Sequence, residues 1–176
     1  MNKGIFETWA PIYRECGLEP RPVAPGTKAC KLKGWTKPDS EFSPEVLESW
    51  IHDFGHYGIG LRMGTLLPDG SRLGALDVDR DEYVGLAKVL LGNPPCGRFG
   101  SKGAVYFVRV VGDLGNPKFK VAGDVGKVWG TVAECLFNKA FCVIPPTIHP
   151  DTNCAYVWIG SPVHKLNFSN IPIIGE

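Results

Sequence analysis

This 176-residue chain lacks a dominant charge: 19 Lys and Arg face 18 Asp and Glu, leaving +1 at pH 7. That balance excludes a disordered polyelectrolyte and a strongly basic tail, so any contact with nucleic acid must come from a local patch. Long apolar runs are missing too. None approaches the roughly 18 to 20 residues of a bilayer span, and the opening MNKGIFETWAPIYRE has no uninterrupted apolar centre of the signal-peptide kind. The expectation is a soluble, cytoplasmic protein with no membrane partner. The cysteines Cys16, Cys30, Cys96, Cys135, Cys142 and Cys154 form no C-x-x-C pair and have no H-x-H nearby, which argues against a structural zinc clamp. Cys135 and Cys142 lie in apolar, strand-like stretches, where a reduced cysteine is an ordinary small core residue, so free thiols are expected. A G-x-x-x-x-G-K-[ST] loop is also absent, which argues against P-loop ATPase chemistry.

What the chain does have is punctuation. With 22 Gly and 15 Pro it turns often, favouring many short strands and few helices. The length suits one domain spanning residues 1–176. Ile5, Phe6, Trp9, Ile12 and Tyr13 recur at helical spacing; Pro11 would divide or kink that helix, and Gly17 can end it. Residues 18–42 are rich in Pro, Gly and Lys without a sustained period and read as an ordered surface loop. Lys28, Lys31, Lys33 and Lys37 make a basic cluster there beside Trp35. Ser43-Pro44-Glu45 reads as a helix start, with Ser43 as cap, and that helix runs to about Phe54. YGIGLRMG and RLGALDVD read as two strands, and Asp81 can cap a helix over EYVGLAKVLLG. Beyond Pro95, the runs CGRFGS, GAVYFVRVV, KVWGTVAECLF, KAFCVIPP and AYVWIG are strand candidates. The fold class is therefore α+β, with helices against a mainly antiparallel sheet.

The sharpest chemical feature is Leu76-Asp77-Val78-Asp79. On a strand, residues i and i+2 share a face, so Asp77 and Asp79 are parallel while Leu76 and Val78 anchor the strand in the core. Adjacent like charges need a compensating cation, and oxygen ligands suit Mg²⁺ or Mn²⁺; two such ions can serve an in-line phosphoryl displacement. The bland alternative is a solvated strand end and helix cap. An EF-hand fits worse, because Glu82 stands where glycine is needed and Lys88 where the bidentate Glu belongs. Glu134, inside the apolar run Val132-Ala133-Glu134-Cys135-Leu136, supplies a third acid; its alternate neighbours Val132 and Leu136 share its face if the strand is regular. Its own bland alternative is a pairing with a buried arginine, or a place at a sheet edge. His52 and His56 are four apart but lack an intervening glutamate, so a zinc pair is not expected.

KLKGW, YGIGLRMG, LDVD, GSKGAVYF, VAECL and VIPPTIHPDTNCAYVWIG, in that order from about Pro22 to Gly160, resemble the bifunctional DNA primase/polymerase domain of the archaeo-eukaryotic primase superfamily, of the phage and plasmid replication type. The resemblance implies a catalytic core related to the RNA-recognition motif. It also implies that Asp77, Asp79 and Glu134 bind a two-metal Mg²⁺ or Mn²⁺ centre, and that GSKG, with Ser101 and Lys102, contacts the phosphates of a nucleoside triphosphate. His149 matches the histidine of the PP-S/T-x-H segment, and Arg98 is a further candidate for the triphosphate. Many members carry a histidine three positions before the phenylalanine matched by Phe107; here that residue is Ala104, so either Lys102, Arg98 or His149 substitutes or catalysis is weaker than is usual for the family.

The implied activity is metal-dependent nucleotidyl transfer on a single-stranded DNA template, making and extending primers. A replicative helicase, in cis or in trans, is the expected partner, the domain standing at the N-terminal part of a longer replication protein. Lys31, Lys33 and Trp35 could hold template phosphates and stack a base, or could be solvated lysines around a core tryptophan. Two other functions use the same residues: a non-catalytic single-stranded-DNA-binding module, in which Ala104 marks lost chemistry, and a two-metal nuclease.

Overall fold

A computed structural model describes residues 3–121 and 130–175. The elements are α1 (Ile5–Glu15), β1 (Pro20–Val23), α2 (Pro44–Phe54), β2 (Gly58–Arg62), β3 (Thr65–Leu66), β4 (Arg72–Val78), α3 (Asp81–Leu90), β5 (Cys96–Phe99), β6 (Ala104–Val110), β7 (Lys118–Val121), β8 (Gly130–Leu136), β9 (Phe141–Val143), β10 (Val157–Gly160) and β11 (Ile173–Ile174). The large sheet runs β10-β5-β6-β4-β8-β7, with β3 added to β4 and β11 to β6; a small sheet runs β1-β2-β9. Every pairing is antiparallel except β11 with β6. The fold is α+β, as the punctuation and periodicity indicated. Among the described residues no helix is long and apolar enough to cross a membrane, and all six cysteines are free thiols.

The main core is filled from α1, α2, the small sheet and one face of the large sheet: Phe6, Ala10, Tyr13, Trp50, Ile59, Leu61, Leu73, Ala75, Val105 and Phe107 are all buried in it. In α1, Phe6, Ala10 and Tyr13 are spaced four and three apart and form the buried stripe. Pro11 sits within α1 without dividing it; the packed face holds the helix although Pro11 has no N–H to give the preceding turn. Gly17, at φ +76°, ends it: its N–H donates to the Arg14 carbonyl and that of Leu18 to the Tyr13 carbonyl, the Schellman arrangement that satisfies orphan carbonyls. His164, for which the sequence suggested no partner, packs against Trp9 and Tyr13.

Three sequence expectations need correction. Ser43 stands at the N-cap of α2, but its side chain caps no backbone N–H. The N-cap of α3 is Arg80 rather than Asp81; the Asp81 carboxylate instead accepts the Gly103 N–H at 2.6 Å. Leu76 and Val78 do anchor β4 in a core as expected, in a second one apart from the main core. They face the opposite side of the sheet and pack with Ala87, Ala104 and Tyr106 beneath α3. Finally, residues 18–42 are not all surface loop, because Pro20–Val23 is a fully buried strand. Two prolines in four residues spoke against a strand, yet β1 is an edge. The Glu19 carbonyl accepts the Arg62 N–H, so odd-numbered residues face β2 and the prolines point their missing donors away from it. Of the run KVWGTVAECLF, Lys127 to Trp129 lie outside the described residues, and the remainder forms β8.

The rest of the basic segment is tied down by two buried arginines. Arg21 is 0% exposed; it donates to the carbonyls of Pro20, Trp35 and Lys37 and pairs with Asp39. Arg62 donates to the Thr36 carbonyl and to Glu19 Oε2, each at 2.7 Å, while the other Glu19 oxygen accepts the Asp39 N–H. Removing one member of such a network strands buried partners at a cost of about 3 kcal/mol or more. Arg21→Ala is therefore expected to lower the unfolding free energy in urea by about 3 kcal/mol and to open residues 24–42 to proteolysis before the core unfolds.

Candidate active site

Strand register assembles the site. Along β4, Leu73 and Ala75 enter the main core and Asp77 follows on the same face, one repeat of the pleat further on. Directly opposite Asp77 stands Glu134 on β8, and on its other side Val105 on β6. Val105 faces Arg98 on β5, Arg98 faces Trp158 on β10, and Glu134 faces Lys118 on β7. One rung across six strands thus reads Trp158, Arg98, Val105, Asp77, Glu134, Lys118, with neighbours about 4.8 Å apart at the backbone and directly opposed residues sharing a face. Asp79 lies just past the end of β4, where its N–H donates to the Val132 carbonyl at 2.9 Å. The three acids separated in the chain are therefore brought to one end of one sheet face.

β8 is not regular. Phe119 faces Ala133 while Lys120 faces Thr131, so the ladder skips Val132. Val132 consequently borders the apolar groove under α3, with Ala133 and Cys135, instead of sharing the Glu134 face; Leu136 does reach the main core. The irregularity bends the strand two residues before its acid, a common place for a bulge beside a site.

Charging Asp77 in this setting is costly. Burial pushes its carboxyl above the usual carboxylate range; Arg98 pulls it back, and the charges of Asp79 and Glu134 push it further up. Lys28 also acts on it from the basic segment. Glu134 is half-buried and one of its oxygens is held by Lys118 Nζ at 2.9 Å. The partner of Glu134 is thus a solvent-exposed lysine and not a buried arginine, and the residue also stands opposite Asp77. The donor set is all carboxylate oxygen, which fits a hard divalent cation. Among the described residues, however, no three His, Cys, Asp or Glu side chains are already gathered closely enough to hold a metal ion.

The donor side of the face is built from the cations Arg98 and Lys28 and the neutral ring of His149. The Arg98 guanidinium lies 4.7 Å from the centre of the Tyr156 ring, and its Nε is buried without a partner. His149 is 2% exposed and stacks obliquely on the same tyrosine at 5.2 Å. Its Nδ1 accepts the Asp151 N–H at 3.2 Å, so Nδ1 carries a lone pair and Nε2 holds the proton of the neutral ring. Burial, then Lys28, lower the His149 pKa, with Asp151 opposing. Lys28 Nζ is 3.2 Å from Asp151. The loop bearing His149 is clamped to β2 by Thr147, whose hydroxyl accepts the Ile59 N–H at 2.6 Å and donates to the Ile59 carbonyl at 2.8 Å. A side chain at Gly58 would collide with that threonine, its Cβ 2.5 Å from Thr147.

The GSKG turn borders this group through its first glycine. A Cβ on Gly100 would lie 2.9 Å from Tyr156, 3.2 Å from Arg98 Nη1 and 3.4 Å from His149. Gly103, at φ +60°, has no room for a side chain against the Val78 carbonyl, and Asp81 holds its N–H. Ser101 and Lys102 are exposed on the turn. Ala104 is buried beneath α3, directly opposite Val78, so on this register position 104 faces away from Asp77. Lys31 and Lys33 are exposed, while Trp35 is half-buried with its ring edge-on to Phe141 at 5.7 Å. His52 pairs with Asp53 and does not join His56 in a described metal group. Tyr156 and Lys118 were missed by sequence reasoning; position 156 was visible only as part of an aromatic strand, and Lys118 carried no signal before the register was known.

Two consequences are measurable. Because the folded state disfavours the Asp77 charge, that charge opposes folding above its raised pKa and the penalty is relieved as pH falls through it. Asp77→Asn, in chelator, is expected to raise Tm by about 2–4 °C, the shift that roughly 1 kcal/mol gives a domain of this size. His149 has the opposite pH dependence: kept neutral when folded, it contributes full stability above about pH 6.5 and loses it as the unfolded chain protonates below that value. His164 is lowered by burial in the same sense. His149→Asn should therefore flatten, without abolishing, the decline of stability between about pH 7.5 and 5.5 in urea titrations, by at most about 1.4 kcal/mol per pH unit.

No curated protein matches this sequence. The sequence model of the family described as "Bifunctional DNA primase/polymerase, N-terminal" matches residues 10–172, nearly the whole chain and all of the rung described above. The chain belongs to the bifunctional DNA primase/polymerase N-terminal family.

Proposed function

We propose that the protein is a metal-dependent nucleotidyltransferase that makes, and extends, primers on single-stranded DNA from nucleoside triphosphates. One observation carries this reading: Asp77 and Glu134 stand directly opposite each other beside Asp79, on the sheet face that also carries Arg98. Carboxylates so opposed are a liability to the fold and an asset to a cation site. Asp77, Asp79 and Glu134 would hold Mg²⁺ or Mn²⁺, which when bound would help activate the attacking hydroxyl and neutralise charge on the leaving oxygen.

The chain's own residues have separate roles. Arg98, fixed over Tyr156, presents a permanent cation to the triphosphate. His149 offers Nε2–H as a neutral donor, held by Asp151 on the other nitrogen. Lys28 adds charge from the basic segment, and Ser101 and Lys102 contact phosphate from the turn. Pyrophosphate leaves as the priming or growing 3′ oxygen attacks the α-phosphorus. Because position 104 faces α3, the replacement of histidine by Ala104 leaves the cations of the acidic face in place. Lys31, Lys33 and Trp35 belong to a path for template phosphates along the basic segment, and a helicase in cis or trans would supply the unwound strand.

Primer synthesis on single-stranded DNA with labelled nucleotides and Mn²⁺ or Mg²⁺ tests this reading. The wild type should form product, and Asp77→Ala with Asp79→Ala should lose at least about 100-fold, as removal of metal-centred charge stabilisation predicts. Equal product from both would reject the assignment. Template binding without incorporation would identify a binding module, and release of nucleotides from DNA would identify a nuclease built on the same acids.

A further inference from the structure

Glu134 has an acid on one side and a base on the other. Across β4–β8 it meets Asp77, and across β7–β8 it meets Lys118, whose Nζ is 2.9 Å from Glu134 Oε1. This ion pair is open to water, with the lysine side chain 53% and the glutamate side chain 31% exposed. Such pairs are weak, so they hold a carboxylate without locking it. Lysine suits a partner that must let go, because it is a point charge on a flexible stem and can leave without dragging a rigid fork behind it. One oxygen of Glu134 is already engaged, and no closed group of three ligands exists among the described residues.

We propose that Lys118 is the resident counter-ion of Glu134, neutralising it until a divalent cation displaces the ammonium, and is thus a positioning residue that sets the metal affinity of the site. The inference rests on the metal-dependent reading given above. At the other end of the rung Arg98 compensates Asp77 from two strands away, through space and over Val105. Lys118 differs in making direct contact with the carboxylate the metal would need. Displacement requires no bond to break other than this ion pair, and leaves the lysine in solvent at the rim.

Mn²⁺ binding to the full chain, followed by the electron paramagnetic resonance signal of free Mn²⁺, tests this. Lys118→Met keeps most of the stem and removes the charge; it is expected to bind Mn²⁺ about three- to tenfold more tightly than wild type. Lys118→Arg, whose guanidinium fork is harder to displace, should bind Mn²⁺ no more tightly than wild type, and Lys118→Met should gain nothing in a Glu134→Gln background. Unchanged or weaker binding by both Lys118→Met and Lys118→Gln would overturn the proposal, and so would an equal gain in the Glu134→Gln background, which would make the effect a general field. Asp77→Asn separates the two levels of argument. If it abolishes binding while the Lys118 variants behave as wild type, the metal site stands and the counter-ion role falls; if it binds as wild type does, both fall.

Discussion

The opposition of Asp77 and Glu134 across one pair of strands is the constraint on which the site depends. Two carboxylates facing each other on a half-buried sheet disfavour folding; the Asp77 pKa is raised first by burial, and the charges of Asp79 and Glu134 add to it. The fold bears the cost because the same rung carries the opposite sign on both sides: Arg98 two strands away beyond Val105, and Lys118 on the adjacent strand β7. Charge is balanced across the sheet while being concentrated within it. A site of this kind gives up stability for a local field that a divalent cation and a polyphosphate can use.

The second support lies outside the large sheet. Arg21 and Arg62, buried with Glu19 and Asp39, convert a proline- and glycine-rich segment into a fixed layer on the small sheet. Four backbone carbonyls satisfy the two guanidinium groups. That segment carries Lys28 to Asp151, beside His149, and so adds a cation to the acidic face from a region with no regular secondary structure. The Thr147 clamp on Ile59 does the same for the loop bearing His149. The small sheet thus acts as the floor against which both loops are held.

Much of this was visible in the residues themselves. The helical stripe of α1, the Pro44 start of α2 and the two strands around LDVD follow from period and punctuation, because local spacing decides which side chains can share a face. β1 was hidden, since PRPV violates the strand preference and is rescued only by lying at an edge whose prolines point outward. β7 and β11 were also missed: four and two residues long, they exist through pairing with β8 and β6 rather than through any pattern of their own. Asp81 had the chemistry of a cap, but the Gly103 N–H won its carboxylate, a competition between partners 22 residues apart that local rules cannot judge.

The chain by itself determined the chemical vocabulary: three acids in strand-like settings, a stiff Pro-Pro segment before His149, a small-residue turn at GSKG, and thiols without partners. These are properties of residue type and short-range spacing, which act before any tertiary contact forms. Only the folded structure decided the pairing. That Glu134 meets Asp77, that Lys118 meets Glu134, that Val132 is skipped and that position 104 faces α3 are all matters of register, and a shift of one residue would send each side chain to the other face. Register is set by the packing of whole sheet faces, an energy summed over residues far apart in the chain, and no local stretch contains it.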